Sequence, residues 1–208
     1  MTSARTIAVS AMVACGLVTA CGSAATPSAS SGQTTASASA SATAGASAVA
    51  GAAITTAKFG TVVPQGWTNK IDVATEVQKF SANGQVLFLV EQGPPGQQQS
   101  NVNDIMANVN VLLLTTPVPD NQVPTYLGSV SSSGATNLSS PQAFTLDGAT
   151  GQYIVYDRDV SGTPGESQDM IVNHGGSTYD IVLNTSQFAF NQQLTGLQSV
   201  LAAWKWTS

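Results

Sequence analysis

The 208-residue sequence predicts an α+β domain with helices laid on an antiparallel sheet. Three observations predict it. Short apolar runs are joined by Asn83-Gly84, Asp147-Gly148 and His174-Gly175-Gly176, dipeptides and tripeptides that tolerate the positive φ of tight hairpins. Phe190, Leu194, Leu197, Leu201 and Trp204 recur at intervals of 4, 3, 4 and 3, which lines one face of a helix. The elements come as strands, helices, strands and a helix, so the strands do not alternate with crossover helices as a parallel sheet requires.

In chain order, residues 61–63 form a short strand stopped by Pro64 and Gly66, just before Trp67. Residues 75–81 and 85–91 flank Asn83-Gly84 and are expected to pair as a hairpin. Residues 86–90 are apolar at every position, the pattern of a strand covered on both faces. After Gly93-Pro94-Pro95-Gly96, Ser100 can cap a helix carrying Val102, Ile105, Met106, Val109, Leu112 and Leu113 at helical spacing, with an Asn-rich opposite face. Pro117, Pro119 and Pro124 break the next stretch, leaving room for one short helix at 122–130. Strands follow at 142–146, 152–159, 168–173 and 178–184, then the closing helix from Phe190.

The chain before residue 54 has a different character. Residues 1–20 read as an export leader: a positive start through Arg5, then an apolar run of 15 residues, Thr6 to Ala20, below the roughly 20 that span a bilayer. Val18-Thr19-Ala20-Cys21 resembles the bacterial lipobox. That resemblance implies that Cys21 begins the mature chain and carries diacylglycerol, whose acyl chains anchor it at about 0.8 kcal/mol per buried methylene. Cys15 is discarded with the leader, leaving no free thiol and no disulfide. Of the 32 residues 22–53, 13 are Ala, 8 Ser, 4 Thr and 4 Gly, with no charge and one larger aliphatic, Val49, so nothing there offsets the entropy of ordering. Residues 21–53 therefore read as a lipidated tether, averaging about 30 Å in reach and about 105 Å at full stretch. Its composition resembles O-mannosylated stalks, with Thr34 and Thr35 as candidate acceptors.

Residues 54–208 make one domain with all 11 acidic residues against 5 bases, a charge of −6 once Arg5 is removed. Only 8% of the chain is charged, against about 25% in ordinary globular proteins. So few cations exclude a phosphate-neutralising nucleic-acid surface and a basic membrane-binding patch. One His and two Cys exclude a zinc site of the usual kind, and no cofactor is indicated.

Four landmarks carry a family resemblance: Pro64-x-Gly66-Trp67; Asp147-Gly148 followed by Tyr153; the run from Tyr179 to Thr185; and the closing Phe190 through Trp204-Lys205-Trp206. Together, over residues 59–206, they resemble the PsbP-like lipoproteins of actinobacteria, the LpqN/LpqT type. The resemblance implies a sheet flanked by helices, a PsbP-like α/β/α sandwich used mainly to dock other proteins, and no catalytic set.

Candidate sites are few. Asp157-Arg158-Asp159-Val160-Ser161-Gly162 opens like a calcium loop, but its eighth position is Pro164 and its twelfth Gln168, so it reads as a solvated hairpin loop to which Glu166 and Asp169 add charge. His174 reads as a turn residue with no acid or nucleophile near it in sequence. Trp67, Trp204 and Trp206 could line a pocket; Trp204 belongs to the helix stripe, which leaves Trp206 as the candidate contact. Asn137 and Asn184 fit a glycosylation pattern without meaning in a bacterial lipoprotein.

Two functions fit. One is an adaptor tethered to the membrane through diacylglycerol on Cys21, docking envelope proteins through its sheet face or the loops at 92–101 and 117–137. The alternative is a lipid or glycolipid carrier, with Ile105 and Val109 on one wall of its pocket.

Overall fold

The computed structural model describes residues 51–73, 83–92, 107–160 and 162–207. The strands are β1 (Gly51–Thr55), β2 (Phe59–Pro64), β3 (Thr68–Asn69), β4 (Gly84–Gln92), β5 (Ala107–Leu114), β6 (Gln142–Leu146), β7 (Ala149–Val160), β8 (Thr163–His174), β9 (Ser177–Ser186) and β10 (Lys205–Trp206). The helices are α1 (Val123–Gly128) and α2 (Phe190–Ala202). A seven-stranded antiparallel sheet runs β3-β4-β5-β9-β8-β7-β6, and a three-stranded one runs β1-β2-β10.

The hairpin expectations for β6 to β9 hold. Leu146 pairs with Ala149, so Asp147 (φ 44°) and Gly148 (φ 87°) make the two-residue turn whose twist matches the strands. His174 pairs with Ser177 across Gly175 and Gly176. The Pro64-x-Gly66-Trp67 landmark is a turn closed by the Trp67 N–H on the Pro64 carbonyl at 3.0 Å, with Gly66 supplying φ 82° at its third position.

One expectation is corrected and another lies outside the described residues. The helix expected through Val109, Leu112 and Leu113 is the strand β5; its first part, including Ile105, lies outside the described residues. The alternation Asn108-Val109-Asn110-Val111 has period two, and its β-branched residues suit a pleated surface. The expected pairing of 75–81 with β4 lies outside the described residues; among those described, β4 pairs with β3 and β5. Strand pairing reaches back to Gly51: β1 pairs with β2 from Gly51↔Pro64 onward.

Each face of the large sheet has its own core. On one face Phe88, Val90, Val109, Val111, Met170, Ile181 and Leu183 pack with α2 residues Leu197 and Val200, and with Phe59 and Trp204. Phe59 and Trp204 stack at 3.8 Å. Each such side chain contributes about 1.5–3 kcal/mol by leaving water. The Thr61 hydroxyl donates to the Val200 carbonyl at 2.7 Å, fastening β2 to α2. On the other face Leu114, Val118, Ile154 and Ile171 pack with Val123 and Leu127 of α1. A register shift between Val86 and Phe88 sends Phe88 and Val90 to the first core and Val86 and Leu89 to a small cluster on the second face. The run 86–90 is apolar throughout because both faces are covered.

Candidate functional site

The Pro-broken stretch after β5 cannot continue the ladder, because prolines lack the N–H a strand needs. It leaves the sheet and is stitched back by side chains. The Val118 N–H donates to the Thr178 hydroxyl at 2.8 Å, and the Asn173 amide donates to the Val118 carbonyl at 2.9 Å and to Asp120 Oδ1 at 2.6 Å. The Thr178 hydroxyl in turn donates to Asn173 Oδ1. Thr178 is buried, so these bonds fix the segment over the β8–β9 hairpin.

Between this segment and α1 lies a groove of about 580 Å³. Leu114 through Pro119 form one wall, Gln122, Thr125, Tyr126 and Ser129 the other, and Asn83 closes an end. Those residues carry no charge but offer hydroxyls, amides and the Tyr126 ring, a set suited to an uncharged, partly apolar surface. Tyr126 is half-buried and its hydroxyl pKa is pushed up to about 12, first by burial and then by the carboxyls of Asp180 and Asp169. The stretch 117–137, named from sequence as a docking loop, supplies most of the groove's lining.

Trp206 occupies a second, tighter cluster. Its ring stacks on His174 at 4.2 Å and 7°, meets Tyr179 at 4.9 Å and stands edge-on to Trp204 at 5.1 Å. Its indole N–H donates to the Leu146 carbonyl at 3.1 Å, and its backbone N–H to Asp147 Oδ2 at 2.9 Å. Lys205 Nζ lies 2.6 Å from Asp147 Oδ1. The Lys205 hydrogen bond, then that of the Trp206 backbone, holds the Asp147 carboxyl below its usual range. Trp206 thus clamps the ends of the β6–β7 and β8–β9 hairpins, with one ring face taken by His174.

The other sequence candidates are scattered. Cys21 and Ile105 lie outside the described residues, as does most of the 92–101 loop. Val109 is fully buried in β5, between Val90 and Leu183, as a core residue. Trp67 packs against Gly196 of α2. Asp157 accepts from the Asn137 amide at 2.7 Å, which ties the segment before β6 to β7, and Asp159 accepts from the Gly162 N–H at 2.7 Å within the β7–β8 loop. Among the described residues no group of three or more His, Cys, Asp or Glu could hold a metal. Asp169 is corrected outright: it does not charge a solvated loop but is 5% exposed in β8. Its position just before the apolar run Met170-Ile171-Val172, on the same strand face as Ile171, was the available signal.

The sequence matches no protein-family model and no curated protein. Among solved structures, LpqN of Mycobacterium tuberculosis is 13% identical, with a TM-score of 0.50 over 76% of this chain and 86% of its own. The solution structure of PsbP from the cyanobacterium Synechocystis is also 13% identical, with a TM-score of 0.43 over 71% of this chain and 86% of its own. No helix among the described residues is long and apolar enough to cross a membrane. With a multi-stranded antiparallel sheet between α1 and α2, the chain has the architecture of a PsbP-like α/β/α sandwich.

Proposed function

We propose that this chain is an extracytoplasmic lipoprotein of the LpqN/LpqT type, anchored through diacylglycerol on Cys21, whose domain docks an envelope protein without catalysis. The observation that carries the docking part is where space is found. Between α2 and the sheet, Phe59, Phe88, Leu183, Leu197 and Trp204 are at most 1% exposed, so that core is filled rather than hollow for an acyl chain. The groove between Leu114 and Tyr126 is accessible from the surface and has the size and mixed lining of a recognition site. The related structure, LpqN, is described as involved in cell envelope biogenesis, which supports the setting.

The test places a photo-crosslinking residue at Tyr126 or Thr116 in the full chain within intact envelopes, with exposed Gln198 as the control. Discrete protein adducts from the groove and none from Gln198 are expected. Equal adducts at all three positions refute the groove, and a lipid or glycolipid retained in native mass spectrometry replaces the adaptor with the carrier. Cys21→Ser is expected to move the protein from the detergent phase to the aqueous phase in phase partitioning.

A further inference from the structure

We propose that Asp169 and Asp180 form a proton-operated latch beneath α1, which holds the Tyr126 wall of the groove in place when protonated and loosens it when a proton leaves. The groove's regulation rests on the docking role proposed above; the latch itself is tested with no partner present.

The latch begins with register. Asp169 on β8 pairs with Val182, and Asp180 on β9 pairs with Ile171, so the two acids are diagonal neighbours on the α1 face of the sheet. Their flanking positions are apolar: Ile154 stands opposite Asp169 across β7, and Leu112 opposite Asp180 across β5. The two carboxyls lie close enough to share a hydrogen bond. A carboxylate has no hydrogen to give, so this bond requires a proton on the pair. The Oδ1 atoms of both residues are buried without a hydrogen-bond partner among the described residues.

The groups facing the pair do not compensate its charge. α1 contributes Tyr126, and β7 contributes Tyr156 and Arg158, while β5 offers only Asn110 and Leu112. Arg158 stands four residues along β7 from Ile154, where its charge acts on Tyr156. With the Arg158 charge acting on Tyr156, burial pushes the Asp169 carboxyl up to about 6 and that of Asp180 well above the carboxylate range. Losing the first proton leaves an anion in an apolar layer, and local opening of α1 to water is the available relief. The folded state thus binds the proton more tightly than the open state. The latch is firmest at or below about pH 4, and its hold falls as pH rises through about 6. Tyr126 transmits this change because its ring lies in the field of both acids and also lines the groove.

Hydrogen exchange of the α1 amides in the full chain tests the latch. After correction for intrinsic exchange, protection of Val123–Gly128 is expected to fall at least roughly tenfold between about pH 4 and pH 7. Asp180→Asn keeps a donor for Asp169 while removing one titrating group, and is expected to flatten much of that fall. Protection that stays constant with pH, or falls equally in the variant, overturns the proposal. Should the variant not fold, carboxyl carbon NMR of the wild-type chain decides: titration of both acids near 4 overturns the latch, and titration of either at about 6 or higher supports it. An intact latch without groove adducts would refute the docking role alone.

Discussion

Replacing Gly196 by Ala tests how the Pro64-x-Gly66-Trp67 landmark is joined to α2. A Cβ at position 196 would lie 2.6 Å from Trp67 Cε2 and 2.9 Å from its Nε1, and closer still to Cζ2, where ordinary contacts begin at 3.4 Å. The indole must therefore retreat by about 1 Å, and overpacking of this kind costs about 1–3 kcal/mol. The helix itself gains about 1 kcal/mol from replacing Gly by Ala, so the net loss is about 0–2 kcal/mol. For a domain of this size that lowers Tm by up to roughly 8 °C. In a Trp67→Ala background the clash is gone and the same substitution should stabilise by about 1 kcal/mol, a reversal of sign that reads out the contact. Urea and thermal unfolding of the four chains of this cycle provide the measurement. If Gly196→Ala stabilises equally with Trp67 intact and with Trp67→Ala, the indole does not pack on the helix and the reasoning fails.

Gly151 lies directly across from Phe144, and a Cβ there would meet the Phe144 ring at 2.6 Å and the Ile171 carbonyl closer still; Gly151→Ala is expected to cost about 2–3 kcal/mol in urea unfolding, since backbone must move. Trp206→Ala removes the clamp on two hairpin ends and should destabilise by about 2 kcal/mol, with hydrogen exchange rising first at residues 146–149 and 174–177. Asp147→Asn should remove stability that the wild type keeps above about pH 4 and loses as acid protonates Asp147, so that Tm curves of variant and wild type converge below that pH. The buried pair has the opposite sign: Asp180→Asn should raise Tm at pH 7 relative to wild type and have less effect at pH 4.

Much of the fold is legible because local chemistry and tertiary placement agree. Asp147-Gly148 and Gly175-Gly176 dictate tight turns, and the strands around them follow as read. The stripe from Phe190 to Trp204 is a core face, with Leu197 and Trp204 almost wholly buried. Reading fails where one pattern serves two periods. Val109, Leu112 and Leu113 satisfy helical spacing, yet Val109 and Leu113 share one strand face while Leu112 points to the other. β1 was hidden for a different reason: Gly51-Ala52-Ala53 has the Ala/Gly-rich composition of the residues before it, and it becomes a strand only because β2 offers a partner. The acid pair was invisible because two Asp residues 11 positions apart become neighbours only through the register of β8 and β9.

The small sheet also determines how the domain responds to force. β2 is flanked by β1 on one side and by β10 on the other, so both ends of the described chain are attached to a single strand. A pull through Gly51 acts at the end of β1 remote from its turn, where the first pair to part is Gly51 with Pro64. Bonds loaded in sequence yield one after another, and β1 has little side-chain burial to resist, with four of its five residues exposed. Peeling it releases about 17 Å of chain. Phe59 and Trp204 remain stacked meanwhile, so β1 is a shock absorber in series with the core.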